Sequence, residues 1–201
     1  MNAQWGIDTE MRNPNITTQD IELVVARHFN PRMNLIVPNV WWGWGLRHEA
    51  DMLVLRPSGY LDEVEIKTTR ADIKADLVKR HSHWEDKRIA RVWFAVPFDL
   101  AACDYIPGNA GVLAVKRRVR QTFGSDGLWR WRDWQKGDAV WTCEVTVVRP
   151  AKLRPAATRT KISAEDRLKL AELGAMRIWD LKTALDTARR RQDEAARTMG
   201  N

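Results

Sequence analysis

Glu49-Ala50-Asp51-Met52-Leu53-Val54-Leu55, followed by Arg56-Pro57-Ser58-Gly59 and then Tyr60-Leu61-Asp62-Glu63-Val64-Glu65-Ile66-Lys67, is the stretch that decides the fold. Two apolar-rich runs flank a turn carrying Pro57 and Gly59, which is the pattern of two antiparallel strands joined as a hairpin. With Ser58 at the centre of the turn, Asp51 falls opposite Glu65. Side chains alternate along a strand, so Glu63, Glu65 and Lys67 share the face of Asp51, while Val64 and Ile66 face the other way with Met52 and Val54. Directly opposed residues bring their Cβ atoms to about 4.5–5.5 Å.

Two carboxylates at that separation repel each other unless positive charge lies between them. Mg²⁺ suits such a gap, because it takes oxygen ligands at roughly 2.0–2.1 Å and keeps several of its waters. Lys67 points at the same spot, where an ammonium steadies a phosphate during metal-assisted phosphodiester cleavage. A solvated strand face carries the same alternation of acidic and basic residues, so the spacing alone leaves both readings open.

The longer string resembles a known family. Asp51 with Glu65-x-Lys67 resembles the signature of the PD-(D/E)XK nuclease superfamily. Glu65-Ile66-Lys67-Thr68-Thr69, Asp72, Asp76, Trp84, Phe94-Ala95-Val96-Pro97 and Ala110-Gly111-Val112-Leu113 resemble its MmcB-like branch of DNA-repair or phage-related nucleases, over roughly Thr17 to Arg154. Ala50 departs from the pattern, standing where the superfamily name has Pro. The resemblance implies an α/β, restriction-endonuclease-like fold, a mixed central sheet with helices on its faces. It also implies Mg²⁺, with Mn²⁺ as a substitute, on Asp51, Glu65 and the Ile66 carbonyl, and Lys67 assisting hydrolysis. In several branches a first-helix Glu joins the metal; Glu22 is the candidate here.

The 201 residues allow one domain of ordinary size plus a terminal extension. A hydrophobic content of 44% argues against disorder, and two cysteines without a CxxC pair give no disulfide framework and fit a reducing cytoplasm. No run approaches the length of a membrane span. A net charge of +7, from 33 basic against 26 acidic residues, suits a polyanionic partner such as DNA.

Residues 1–16 read as a loose arm and 17–150 as the nuclease-like domain. Thr17 or Thr18 caps a first helix whose stripe is Ile21, Val24, Val25, His28 and Phe29, ended at Pro31. Asn39 to Gly45 holds Trp41, Trp42 and Trp44 beside glycines, and Trp42 and Trp44 either stack on bases or cap the core. Thr69-x-x-Asp72 predicts a capped helix running to about Asp86 beside the site. Its start, with Thr68, Thr69, Lys74, Lys79 and Arg80, is placed to touch a phosphate backbone. Residues 116–139 form a basic, Trp-rich insertion or ribbon in which Arg117, Arg118, Arg130 and Arg132 are the phosphate candidates, an ordinary hairpin being the alternative.

Pro150 and Pro155 bracket a basic linker, 151–162. Ser163 then caps a C-terminal helix over 163–201 that packs back on the domain or pairs with a second copy as a homodimer. The expectation is a metal-dependent deoxyribonuclease. Its alternative is a catalytically silent protein of the same fold that binds DNA or a host partner.

Overall fold

The computed structural model describes residues 15–41, 44–77, 85–124 and 135–199. It is an α/β fold: a six-stranded mixed sheet flanked by three helices, the last of them long. The strands are β1 (Leu35–Val40), β2 (Ala50–Leu55), β3 (Leu61–Ile66), β4 (Ile89–Pro97), β5 (Gly111–Gly124) and β6 (Gln135–Arg149), adjacent in that order. β3–β4 and β4–β5 are parallel, and the other neighbours are antiparallel.

The β2–β3 register is the one the turn chemistry specifies. Met52 pairs with Val64, Leu53 with Glu63 and Leu55 with Leu61, and Gly59 takes a φ of +83° in the turn. Glycine accepts that conformation without the Cβ clash other residues meet.

Helix α1 (Thr18–His28) opens with a complete capping box between Thr17 and Asp20. It buries Ile21, Val24 and Val25 against Met52, Val54, Val64 and Ala95 on one face of the sheet. On the opposite face Ile73 of α2 (Arg70–Leu77) and Leu170 of α3 (Ala164–Met199) close a second core with Leu53, Leu61, Val92 and Phe94. Pro38, which lacks an N–H, sits on the edge strand β1, where its missing donor interrupts no interior ladder.

β5 and β6 pair as a long antiparallel ladder from Val112–Arg149 out to Gly124–Gln135, and residues 125–134, the Trp-rich centre of the expected insertion or ribbon, lie outside the described residues. The 151–162 segment is not a free linker. Its backbone N–H groups donate to four separated places: Lys152 to Asn109 O, Arg154 to Ala90 O, Thr160 to Lys87 O and Ile162 to Gly59 O, at 2.8–3.1 Å. This strap crosses one end of the sheet. No helix among the described residues is long and apolar enough to cross a membrane.

Gly111, at the start of β5, is the tightest point under the strap. A methyl group there would fall within the Trp93 ring and at 2.7 Å from the backbone nitrogen of Ala151. Neither backbone nor a packed indole yields cheaply. Gly111→Ala is therefore expected to destabilise the fold by about 1–3 kcal/mol, read as a lowered thermal midpoint; an unchanged midpoint would show that the strap is loosely held.

Candidate active site

The sheet places its acidic residues where β2 begins and β3 runs into α2. Glu63 and Glu65 alternate onto the face of Leu53 and are 0% and 1% exposed. Asp51 precedes the first pair of the ladder and accepts a hydrogen bond from the Ile66 N–H at 2.7 Å, which fixes its carboxylate across the strands. Lys67 then extends β3 by donating its own N–H to Ala95 O.

Helix α2 brings in a further carboxylate. Thr69 Oγ1 accepts from the Asp72 N–H at 3.1 Å and so caps the first turn. Ile73 is thereby set into the core and Asp76, three residues on, lies on the same face with its side chain buried.

The Lys67 ammonium joins these elements. Nζ lies 2.5 Å from Glu65 Oε2, 3.5 Å from Asp76 Oδ1 and 3.6 Å from Asp51 Oδ2. Asp51 and Glu65 thus meet one cation, as the strand pairing predicts. Burial would lower the Lys67 pKa, but the charge and hydrogen bond of Glu65 outweigh it, with Asp51 and Asp76 adding, so the pKa is raised well above the ordinary lysine value. Lys67 keeps its proton throughout the neutral range.

Glu22, on α1, is half-buried and feels the same cluster. Burial first, and the Asp51 charge second, raise its carboxyl pKa. Glu22 also lines a pocket between β1 and α3, which the residues of the Lys67 cluster do not line.

His48 and Glu63 also belong to this neighbourhood. His48 Nε2 is 2.6 Å from Glu63 Oε1, and one donor atom from each of His48, Glu63 and Glu65 lie within 4.8 Å of one another. The oxygen set of Asp51 and Glu65 fits Mg²⁺; the mixed nitrogen and oxygen set at His48 fits Mn²⁺ or Zn²⁺ better. Glu63 was legible as a neighbour of Glu65 by alternation, but the approach of His48 from its loop leaves no sequence signal.

Several proposed DNA contacts have other roles. Trp44 is 3% exposed, donates Nε1–H to Asp166 O at 2.9 Å and lies under the Arg88 guanidinium at 4.0 Å. It caps the core and displays no ring to a nucleic acid. Arg117 Nη2 is committed to Asp20 Oδ2 at 2.5 Å and to Asn15 O at 3.1 Å, which ties β5 to the start of α1. Arg118 pairs across the ribbon with Glu144 at 2.7 Å and stays exposed. Glu49 is exposed just before β2 and does not approach the cluster through any described contact.

Thr68 and Thr69 line a groove of about 580 Å³ with Phe98, Asp99, Lys116 and Arg117. Phe98 is exposed and Lys116 Nζ sits 5.4 Å from its ring centre, a basic and aromatic pair that only tertiary structure brings together. Lys74 is exposed on α2 beside Tyr105. Trp42, Lys79, Arg80, Arg130 and Arg132 lie outside the described residues.

No protein-family model and no curated protein matches the chain. A solved structure of a Silicibacter pomeroyi protein of unknown function is similar, with 20% identity, a TM-score of 0.53, and coverage of 88% of this chain and 96% of that one. That likeness concerns the fold alone.

Two outcomes follow from the charges. A carboxyl whose pKa is raised on folding favours the native state below its ordinary value of 4.5 and loses that contribution as pH rises through the folded value. Without divalent ions, Glu22→Gln is expected to raise stability at pH 7, the gain shrinking towards zero as denaturation is repeated below pH 4.5. A gain independent of pH would place Glu22 outside the field of Asp51. Lys67→Met should cost about 3–5 kcal/mol in EDTA, the usual penalty for removing one partner of a buried ion pair. Mg²⁺ should raise the melting temperature of this variant more than that of the wild type; equal shifts would separate the ammonium from the cation position.

Proposed function

We propose that the protein is a divalent-metal-dependent nuclease of the PD-(D/E)XK class acting on DNA, with Asp51, Glu65 and Lys67 as its catalytic residues. One observation carries the reading: carboxylates from two paired strands converge on a single cation, and one of them, Asp51, stays about a third exposed. Both oxygens lie on Lys67 Nζ, so they are separated by no more than those two distances together.

Asp51, Glu65 and the Ile66 carbonyl would hold Mg²⁺, with Glu22 at the margin. When bound, the ion supplies a Lewis acid for the phosphate and an acidified water as nucleophile. The chain's own groups do the rest. The Ile66 N–H orients Asp51. Lys67 stays protonated and so acts as a fixed positive charge that positions a phosphate oxygen or the attacking water, and not as a base. Thr68, Thr69 and Lys116 line the groove along which the phosphate backbone would run.

A DNA-binding module without turnover is favoured by one feature. Lys67 already bridges Asp51 and Glu65, so the two carboxylates share a counter-charge without an ion.

The discriminating experiment is cleavage of labelled single-stranded, duplex and forked DNA with Mg²⁺, Mn²⁺ or EDTA. The expected result is metal-dependent product, reduced roughly a hundredfold or more in Asp51→Asn and Glu65→Gln. DNA binding without product under every metal would leave the binding module in its place.

A further inference from the structure

The C-terminal helix α3 carries more apolar surface than the domain covers. Its 36 residues span about 54 Å. Only the first half meets the body of the protein, through Leu170 and Leu173 in the core and Gly174 against Val37. Beyond that, Ile178, Leu181 and Leu185 are 56%, 60% and 60% exposed. Single exposed apolar residues need no explanation, but a continuous row does.

Their spacing is specific. Ala171, Gly174, Ile178, Leu181, Leu185 and Ala188 alternate steps of three and four, the a and d positions of a heptad, which places them on one straight seam. The seam begins in a groove of about 710 Å³ between α3 and Ile36 and Pro38 of the edge strand β1, and runs on along the bare helix. Small residues at its start leave room for a close approach; the larger ones follow.

The flanks identify what fits. In this heptad the g positions hold Arg177, Ala184 and Arg191, and the e positions hold Ala175, Lys182 and Arg189. Every charged flanking residue is basic. Of the acidic residues of this stretch, Glu172 and Asp186 fall at b, away from the seam, whereas Asp180, at c, lines the groove with Glu22 and pairs with Arg177 at 3.5 Å; the unbalanced basic charge is that of Lys182, Arg189 and Arg191 on the bare half. Arg177 donates to Asn39 O at 2.8 Å and so is held at the groove, whereas Arg189 and Arg191 are exposed. A parallel second copy would set Arg177 against Lys182, and an antiparallel one would set basic flank against basic flank, so self-pairing is opposed. Duplex DNA would answer the charge but could not cover Ile178, Leu181 and Leu185.

We infer that the α3 seam is a docking surface for an amphipathic helix of a different protein, with apolar a and d positions and acidic e and g flanks. It would pair as a two-stranded coiled coil that starts in the β1 groove.

The test uses the full chain and two synthetic four-heptad peptides with Leu at a and d, one carrying Glu and the other Lys at e and g. Fluorescence anisotropy should show the Glu peptide binding at least roughly tenfold more tightly, about the effect of a few flanking charge pairs. Binding should be lost in the Leu181→Glu, Leu185→Glu double variant, whose exposed positions leave the fold intact by circular dichroism. Sedimentation equilibrium should show a monomer without peptide. The inference is overturned if the two peptides bind alike or not at all. It is equally overturned if the wild type is a dimer that the double variant dissociates, or if duplex DNA binding is lost in that variant.

Discussion

The site depends on one ion cluster: the Lys67 ammonium against Glu65, Asp76 and Asp51. Each carboxylate arrives by a different route, Glu65 by strand alternation, Asp51 by the hairpin register and Asp76 by the cap that sets the phase of α2. Burying like charges together costs several kcal/mol per group unless a counter-charge is fixed among them. The hairpin register, the α2 cap and the parallel β3–β4 pairing therefore have to be right simultaneously, and an error in any one would strand a buried charge. The same strand gives the contrast. Asp62, on the opposite face, is fully buried yet enclosed by Arg56, Arg91 and Trp93 Nε1. Its neighbours close around it, whereas the Lys67 cluster keeps Asp51 about a third exposed. A carboxylate sealed by guanidinium groups is a structural tie; one left partly exposed can accept a ligand.

The two ends of the chain segment after β6 behave differently for a physical reason. The strap is held by backbone hydrogen bonds to loops around the sheet, and its Ile162 is buried. The far half of α3 has no such partners among the described residues and rests on helix-favouring Ala, Leu, Lys and Arg. Most helical stability in proteins comes from packing an apolar face, so this half is the one whose stability depends on what it meets.

Much of the site was legible in the sequence, because its determinants are local. The Pro57-Ser58-Gly59 turn sets the register, alternation puts Asp51, Glu63 and Glu65 together, and Thr17 and Thr69 announce their helices. The misreadings are long-range. Nothing near Trp44 distinguishes a displayed ring from a buried one; its partner is the Asp166 carbonyl, far along the chain. Arg117 stands in a basic run that reads as phosphate-binding, yet its partner is Asp20 on the first helix. The 151–162 segment lacks periodicity and so reads as a linker, since backbone hydrogen bonding to distant loops leaves no trace in side-chain pattern. Only tertiary structure brings His48 onto Glu63.

The central claim, that Asp51 and Glu65 form a divalent-cation site that Lys67 occupies electrostatically, is tested most directly by anomalous diffraction from crystals grown with Mn²⁺. The account predicts a peak between the Asp51 and Glu65 carboxylates with the Lys67 ammonium moved aside. It is contradicted by a saturating Mn²⁺ concentration that leaves no peak there and Lys67 still seated on Glu65.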